Sequence, residues 1–148
     1  MIPYLLKVKL PKNNRQYLGY LKRELLKKCE KDKIECIIEF IDGRIIIFST
    51  PEIIPYLKNL RNIISIHPVK IFEDYEALIK EIKNILRGKE SFAVRANTKS
   101  LEEKIGGDII KEMNIEVNLK EPRTEVQVEK RGKYFLLYQE NIYLKREY

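Results

Sequence analysis

The sequence predicts an α+β protein made of two units, in which helices and strands follow one another along 148 residues. Two observations indicate this class. Apolar residues recur at every second residue in some segments and at every third or fourth in others, which is typical of strands and amphipathic helices respectively. Turn and cap residues separate these segments, among them Asp42-Gly43, a dipeptide that favours a two-residue hairpin. The chain is also long enough to bury a core.

Six elements are predicted in residues 1–72. Leu6 and Val8 alternate with lysines, as in a half-buried strand, whereas Leu18, Leu21 and Leu25 recur at helical spacing. The strands are expected over 4–10, 34–41, 44–48 and 63–72, and the helices over 14–31 and 51–59. Thr50 is expected to cap the second helix. The order strand, helix, strand, strand, helix, strand is that of a ferredoxin-like βαββαβ unit.

The second unit is expected over residues 73–148 as an α/β domain. Asp74 is the predicted N-cap of its first helix, which Gly88 closes. Ser100 and Glu103 have the spacing of a capping box and predict a second helix that ends near Met113. Strands are expected over 91–96, 115–119, 124–129 and 134–138. Because no Gly-, Ser- or Pro-rich tract lies near residue 72, the two units are expected to pack against each other.

Positive charge is concentrated in the first half of the chain. Residues 1–72 contain 14 Lys and Arg against 7 Asp and Glu, whereas residues 73–148 contain 15 of each. Ten basic and three acidic residues fall within residues 7–33, and this segment accounts for the whole net charge of +7. The asymmetry predicts a polyanionic partner.

Composition and motifs exclude several other classes. With 44% hydrophobic and 34% charged residues, the chain is predicted to be folded, with no membrane-spanning helix. Residues 1–7 lack the features of a signal peptide, so a cytoplasmic location is expected. The chain has no Gly-rich phosphate loop and no nucleophile elbow. We therefore expect no catalytic residues and no cofactor.

The two cysteines and the single histidine predict neither a metal site nor a catalytic role. Cys29, Cys36 and His67 are too few for a metal site or a disulfide framework. Cys36 is expected in the core and His67 in a structural position. Cys29 could have a lowered pKa beside its lysine neighbours, but an inert thiol is the preferred interpretation.

Three segments of the second half resemble the THUMP domain. They are Ser91-Phe-Ala-Val-Arg-Ala96, the Ile105-Gly-Gly107 step, and Val117-Asn-Leu-Lys-Glu-Pro122 followed by a strand of alternating valines. The resemblance covers roughly residues 73–139. The ferredoxin-like unit before it is similar to the unit that precedes THUMP in tRNA-modifying enzymes, including 4-thiouridine synthetases. The resemblance implies tRNA binding toward the acceptor stem and its 3′ end.

The resemblance and the charge pattern together predict ten RNA-binding residues. They are Arg15, Lys22, Arg23, Lys27, Lys28, Arg95, Lys99, Lys130, Arg131 and Lys133. The alternatives are that the basic helix is only a solvated face, that the 130–133 tip is a solubilising turn, and that Arg95 is an ordinary exposed strand residue. Gly106 and Gly107 lie inside a predicted helix, where close packing against the sheet is preferred over close approach of an RNA backbone.

These observations predict a tRNA-binding protein without chemistry of its own. THUMP domains normally deliver tRNA to an attached catalytic domain, and none is expected here. The predicted role is therefore that of an adaptor which presents tRNA to a separate modifying enzyme. The N4-acetylcytidine acetyltransferase is one candidate partner; a methyltransferase or a thiolation enzyme is another. A protein-interaction subunit with secondary RNA contact remains an alternative, and an autonomous RNA-modifying enzyme is a third.

Overall fold

A computed structural model describes residues 1–9, 14–139 and 142–144. The strands are β1 Ile2–Val8, β2 Cys36–Ile41, β3 Arg44–Ser49, β4 Ile63–Pro68, β5 Lys70–Phe72, β6 Ser91–Ala96, β7 Glu116–Val117, β8 Thr124–Arg131, β9 Tyr134–Tyr138 and β10 Tyr143–Leu144. The helices are α1 Asn14–Lys31, α2 Ile54–Lys58, α3 Tyr75–Leu86 and α4 Lys99–Glu112, and a 3-10 turn at Pro51–Ile53 precedes α2. The mixed α+β class predicted from the sequence is confirmed. Leu10 and Pro11, the predicted end of the first strand, lie outside the described residues.

The first unit comprises Met1–Pro68 and the described part of Glu140–Tyr148. Its sheet has the order β10-β4-β1-β3-β2, and all four of its neighbouring pairs are antiparallel. The β2–β3 hairpin turns at Asp42 and Gly43, whose φ angles of 43° and 84° are the positive values that a type I′ turn requires. The predicted hairpin is confirmed.

The first core lies between this sheet and its helices. Leu21, Leu25 and Cys29 of α1 are buried in one cluster with residues of β1, β3 and β4. The sequence predicted burial of only one face of β1, but Tyr4 and Leu5 are both buried. Successive side chains of a strand point to opposite faces, so the burial of both residues means that both faces of β1 are covered.

The second unit comprises Val69–Gln139. Its sheet has the order β5-β9-β8-β6-β7, in which β6 pairs in parallel with β7 and β8, whereas β9 is antiparallel to β5 and β8. Helices α3 and α4 supply Leu78, Ile82, Ile105 and Ile109 to a second core cluster. Asp74 caps α3 as predicted, because its carboxylate accepts a hydrogen bond from the Ala77 N–H at 3.1 Å.

The boundary between the units differs from the predicted one. The sequence suggested one strand over 63–72 and a boundary after residue 72. Instead, β4 belongs to the first sheet and β5 to the second, because Pro68 has no N–H with which to continue a ladder. The predicted domain 73–148 is also too long at its C-terminal end, since β10 pairs with β4 of the first unit.

Two predicted caps are wrong. Thr50 precedes the 3-10 turn, but its hydroxyl makes no cap hydrogen bond, and the Ile53 N–H donates instead to the Thr50 carbonyl at 3.0 Å. The N-cap of α4 is Thr98, whose hydroxyl accepts from the Leu101 N–H at 3.3 Å. Thr98 is the last residue with an extended backbone, so Ser100 already lies inside the helix and cannot be its N-cap.

The packing interpretation of the Gly106-Gly107 step is also wrong. A Cβ atom built at either glycine would meet no other atom within 4 Å, so no neighbouring residue requires their small size. The glycines instead leave part of the α4 backbone open on a partly exposed surface.

Candidate nucleic-acid interface

The cations of α1 are spread around its exposed surface. Leu21 and Leu25 face the core, and helical spacing places Arg23 and Lys27, four residues apart, on the opposite side. Lys22 and Lys28 occupy the two flanks between these sides. The structure therefore brings Arg23 and Lys27 together and separates Lys22 from Lys28.

Two of these cations have contacts within the chain. Lys22 Nζ lies 5.7 Å from the centroid of the Phe40 ring, and Lys27 Nζ lies 3.8 Å from a Glu24 carboxylate oxygen. The side chains of Arg23 and Lys28 are exposed, and neither side chain forms a hydrogen bond or an ion pair with another described residue. Arg15 falls in the first turn of α1, and its side chain lies outside the described part of the structure.

Sequence reasoning missed two further residues of this face. Lys31 follows Lys27 by four residues and is exposed, so it extends the line of positive charge toward the end of α1. Tyr20 is 54% exposed and precedes Arg23 by three residues, which places its ring on the same side of the helix. We call Tyr20, Arg23, Lys27 and Lys31 the α1 stripe. The spacing of these four residues was the signal that could have identified it.

In the second unit, a pair of hydrogen bonds links the end of β6 to the β8–β9 hairpin. Asn97 Nδ2 donates to the Lys130 carbonyl at 3.1 Å, and the Lys130 N–H donates to Asn97 Oδ1 at 2.9 Å. Two residues after Asn97, Lys99 begins α4 with an exposed side chain. The structure therefore brings Lys99 to the same edge of the sheet as the hairpin tip.

An aromatic pair holds two lysines at this edge. The Tyr75 and Phe135 rings meet edge to face with their centroids 5.9 Å apart. Lys104 Nζ lies 4.2 Å from the Tyr75 centroid, and Lys130 Nζ lies 4.2 Å from the Phe135 centroid. Lys104 was not among the residues predicted from the sequence, because its relation to Lys130 depends on contacts between distant segments. We call Lys99, Lys104, Lys130 and Lys133 the hairpin-edge cluster.

Two groups beside these lysines have a raised pKa. Burial, and then a 2.6 Å hydrogen bond from its hydroxyl to Asp108 Oδ2, raise the pKa of Tyr75, which therefore stays neutral. The charge of Glu73, 3.5 Å from Lys133 Nζ, raises the pKa of Lys133 and keeps its ammonium protonated. The carboxylate neutralises part of the positive charge at the hairpin tip.

The Arg131 side chain forms an ion pair with Glu129 of the same chain. Its Nε and Nη2 atoms lie 2.9 and 2.8 Å from Glu129 Oε1, and this carboxylate is buried. Glu129 Oε2 accepts a further hydrogen bond from the Tyr138 hydroxyl at 2.6 Å. A buried carboxylate needs such a cation, so the observed role of Arg131 is to neutralise Glu129.

Arg95 lies on the face of the second sheet opposite the helices, as the alternation with Phe92 and Val94 predicted. Its Nη2 donates to the Leu119 carbonyl at 2.6 Å, and its Nε lies 3.6 Å from Glu125 Oε2. Arg95 therefore anchors the loop that follows β7. Its predicted contact with RNA stays a prediction.

The described residues contain no cluster of three or more His, Cys, Asp or Glu side chains that could hold a metal ion. In that same part of the chain, no helix has the length and apolar content needed to cross a membrane. His67 is buried, and its Nε2 lies 2.8 Å from the Ser65 hydroxyl. Cys29 is buried in the first core, and Cys36 packs against that core while half-buried.

Comparison with known proteins yields similarity at the level of structure. No family model matches the sequence, and no curated protein matches it. A crystal structure of PH1313 from Pyrococcus horikoshii matches 96% of the chain with a TM-score of 0.71 and 24% identity. A 4-thiouridine synthetase, crystallised in complex with RNA and with bound ATP, matches 97% of the chain with a TM-score of 0.65 and 17% identity.

The fold is THUMP-like. The second match is a 4-thiouridine synthetase, which is a class of enzyme that the sequence resemblance named. The match covers both units of this chain. The chain corresponds to about half the length of these structures, 55% of PH1313 and 42% of the synthetase. At these identities the likeness establishes the THUMP-like fold alone.

Proposed function

We propose that this chain binds tRNA through the α1 stripe and the hairpin-edge cluster and presents its acceptor stem and 3′ end to a separate tRNA-modifying enzyme. The observation that carries the proposal is the structural match over 97% of the chain to a synthetase crystallised with RNA. The corresponding part of that enzyme is only 42% of its length. The proposal assigns RNA binding to this fold, and it takes the assignment of chemistry to another protein from the adaptor role predicted from the sequence.

The α1 stripe supports the proposal by its composition. Arg23, Lys27 and Lys31 place three positive charges along one exposed side of a helix, and an RNA backbone places phosphates along a line in the same way. Tyr20 adds an exposed ring to the stripe, and an unpaired base stacks on such a ring. Phosphate contacts of this kind position an RNA without reading its sequence.

The hairpin-edge cluster supports the proposal by its placement. Lys99 stands at the N-terminus of the 14-residue helix α4, where the backbone amides add to the attraction for an anion. Lys104 and Lys130 lie over a fixed aromatic pair, so their ammonium groups are held in place before any ligand binds. Lysines held in this way lose less side-chain entropy on binding a phosphate.

The enzyme that receives the tRNA is proposed from the sequence resemblance. The N4-acetylcytidine acetyltransferase is one candidate, and a methyltransferase or thiolation enzyme is the alternative. A partner that depends on delivery should have a lower KM for tRNA when this chain is present. The chain alone, incubated with tRNA and acetyl-CoA, S-adenosylmethionine or ATP, should leave every nucleoside unchanged by mass spectrometry. A new modified nucleoside would overturn the adaptor role.

The test of RNA binding is the affinity for tRNA measured over a range of salt concentrations. Each phosphate contact should contribute a slope of about 0.7 to 0.9 in log affinity against log salt. We expect a slope that corresponds to roughly four to six contacts, and tighter binding of tRNA than of unstructured RNA of equal length. Affinity that does not change with salt would contradict the proposal.

A protein-interaction role is the second candidate, and an exposed apolar patch favours it. Ile110, Val117 and Leu119 are 52, 38 and 58% exposed. Because Val117 pairs with Phe92, a core residue, Val117 projects toward the helix side of the sheet, where α4 carries Ile110. If this role is primary, Ile110→Lys should abolish capture of the modifying enzyme and leave tRNA affinity unchanged.

A further inference from the structure

Strand β2 has the one long open edge among the described strands. The two sheets have four edge strands, of which β10 and β7 have two residues each and β5 has three. Strand β2 has six residues and pairs regularly with β3 along its whole length, without a bulge. Short edge strands and bulges protect sheets from pairing with other chains, and β2 has neither protection.

The composition of β2 also lacks the usual protection. Its sequence is Cys-Ile-Ile-Glu-Phe-Ile, with no lysine and no proline, and its only charge is Glu39. Ile37 is 48% exposed and Phe40 is 42% exposed. On α1, Lys22 lies over Phe40, and Leu26 follows one turn later with 38% of its surface exposed. Apolar side chains therefore surround the open edge.

The hairpin register shows which backbone groups of β2 point outward. Ile41 and Arg44 close the two-residue turn, and the closing pair of such a hairpin is hydrogen-bonded. Hydrogen-bonded pairs alternate with non-bonded ones along an antiparallel ladder. Cys36, Ile38 and Phe40 are therefore the residues whose N–H and C=O groups face away from β3.

We propose that β2 is the strand through which two copies of this chain pair, antiparallel and about a two-fold axis at Ile38. In this register Ile38 pairs with itself and Cys36 pairs with Phe40 of the other copy. Every outward N–H and C=O of the strand then has a partner, in three hydrogen-bonded pairs of two bonds each. Ile37 lies opposite Glu39 of the other copy.

The neighbouring register is less favourable. A shift of the two-fold axis to Glu39 would place two carboxylates opposite each other, and like charges in that position are destabilising. It would also place Cys36 opposite Asp42, which lies in the turn with a φ of 43° and cannot continue a ladder. The self-pairing at Ile38 is the register that both avoids repulsion and uses the whole edge.

Substitutions at the exposed Ile37 test the register. Ile37→Glu would place a carboxylate opposite Glu39 of the other copy at two symmetric positions, whereas Ile37→Lys would place an ammonium there. We expect sedimentation equilibrium to give a dimer dissociation constant about tenfold higher for Ile37→Glu than for Ile37→Lys. The double variant Ile37→Glu with Glu39→Lys should restore the affinity of Ile37→Lys.

The measurement uses the full chain without RNA, and circular dichroism should show the same fold in all variants because Ile37 and Glu39 are exposed. The net charge of +7 repels a second copy, so salt should strengthen this association while it weakens RNA binding. A wild-type chain that sediments as a monomer at every concentration would overturn the proposal. Equal dissociation constants for the Glu and Lys variants would overturn it as well.

Discussion

Asn97 and Lys130 exchange two hydrogen bonds, through the side-chain amide of the first and the backbone N–H and C=O of the second. The parallel ladder of β6 and β8 ends at the pair Ala96 and Val128. Beyond that pair, the Asn97 side-chain amide makes the hydrogen bonds that a further backbone residue would make. It fixes the segment that begins α4 against the hairpin that carries Lys130 and Lys133.

Asn97→Ala should lower the free energy of unfolding by about 1 to 2 kcal/mol, because it removes two hydrogen bonds at a partly solvated site. It should also weaken tRNA binding, since Lys99 and Lys130 are no longer held together. Chemical denaturation and tRNA titration measure the two effects. Gln139→Ala is the matched control, because it removes an exposed amide with one long hydrogen bond of 3.4 Å. An Asn97→Ala variant no less stable than this control would show that the link is not formed.

Charge reversal on the α1 stripe should weaken tRNA binding. Arg23→Glu combined with Lys27→Glu should reduce affinity for all tRNA sequences alike, because phosphate contacts carry no sequence information. The slope of log affinity against log salt should fall by about 0.7 to 0.9 for each phosphate that the variant no longer neutralises. Lys80→Glu combined with Lys89→Glu changes the net charge equally at two exposed positions outside the proposed surface and serves as the control. Equal reductions in both double variants would mean that only net charge matters.

Arg95→Ala should destabilise the second unit. It removes a 2.6 Å hydrogen bond to the Leu119 carbonyl, and the expected loss of stability is about 1 kcal/mol because the guanidinium is partly exposed. Arg95→Lys should recover little, since one ammonium cannot reproduce the geometry of the guanidinium. Thermal melting and tRNA affinity, measured on both variants, separate this anchoring role from RNA contact. Reduced affinity at an unchanged melting temperature would favour the role predicted from the sequence.

The Cys36 thiol should be unreactive at neutral pH. Burial, and then its contact with Cys29, raise the pKa of Cys36 to about 12, so the thiolate is scarce at pH 8. Alkylation of the folded chain at Cys36 should be roughly a thousandfold slower there than that of a free cysteine. Since a raised pKa moves ionisation to higher pH, the rate should still increase above pH 9, where a free thiol levels off. A plateau near pH 9, seen by mass spectrometry of the labelled peptide, would contradict this pKa.

The local elements were largely determined by the sequence itself. Asp42-Gly43 specified the hairpin because few residues accept two successive positive φ angles, and Leu21 and Leu25 specified the buried side of α1 through helical spacing. Caps were less well determined, since Thr98 and Ser100 have equivalent side chains and only the path of the chain after β6 selects Thr98.

Tertiary structure decided which charges are available to a ligand. Lys130 and Arg131 are neighbours in the sequence, yet one lies over the Phe135 ring and the other neutralises the buried Glu129. Lys104 joins the same edge because its helix packs beside Tyr75, which is distant from it in the chain. Such contacts depend on how strands and helices are ordered in space, and a one-dimensional pattern of charges does not contain that information. The sequence alone thus determined where the positive charge is concentrated, and the fold determined which cations are held by partners inside the protein.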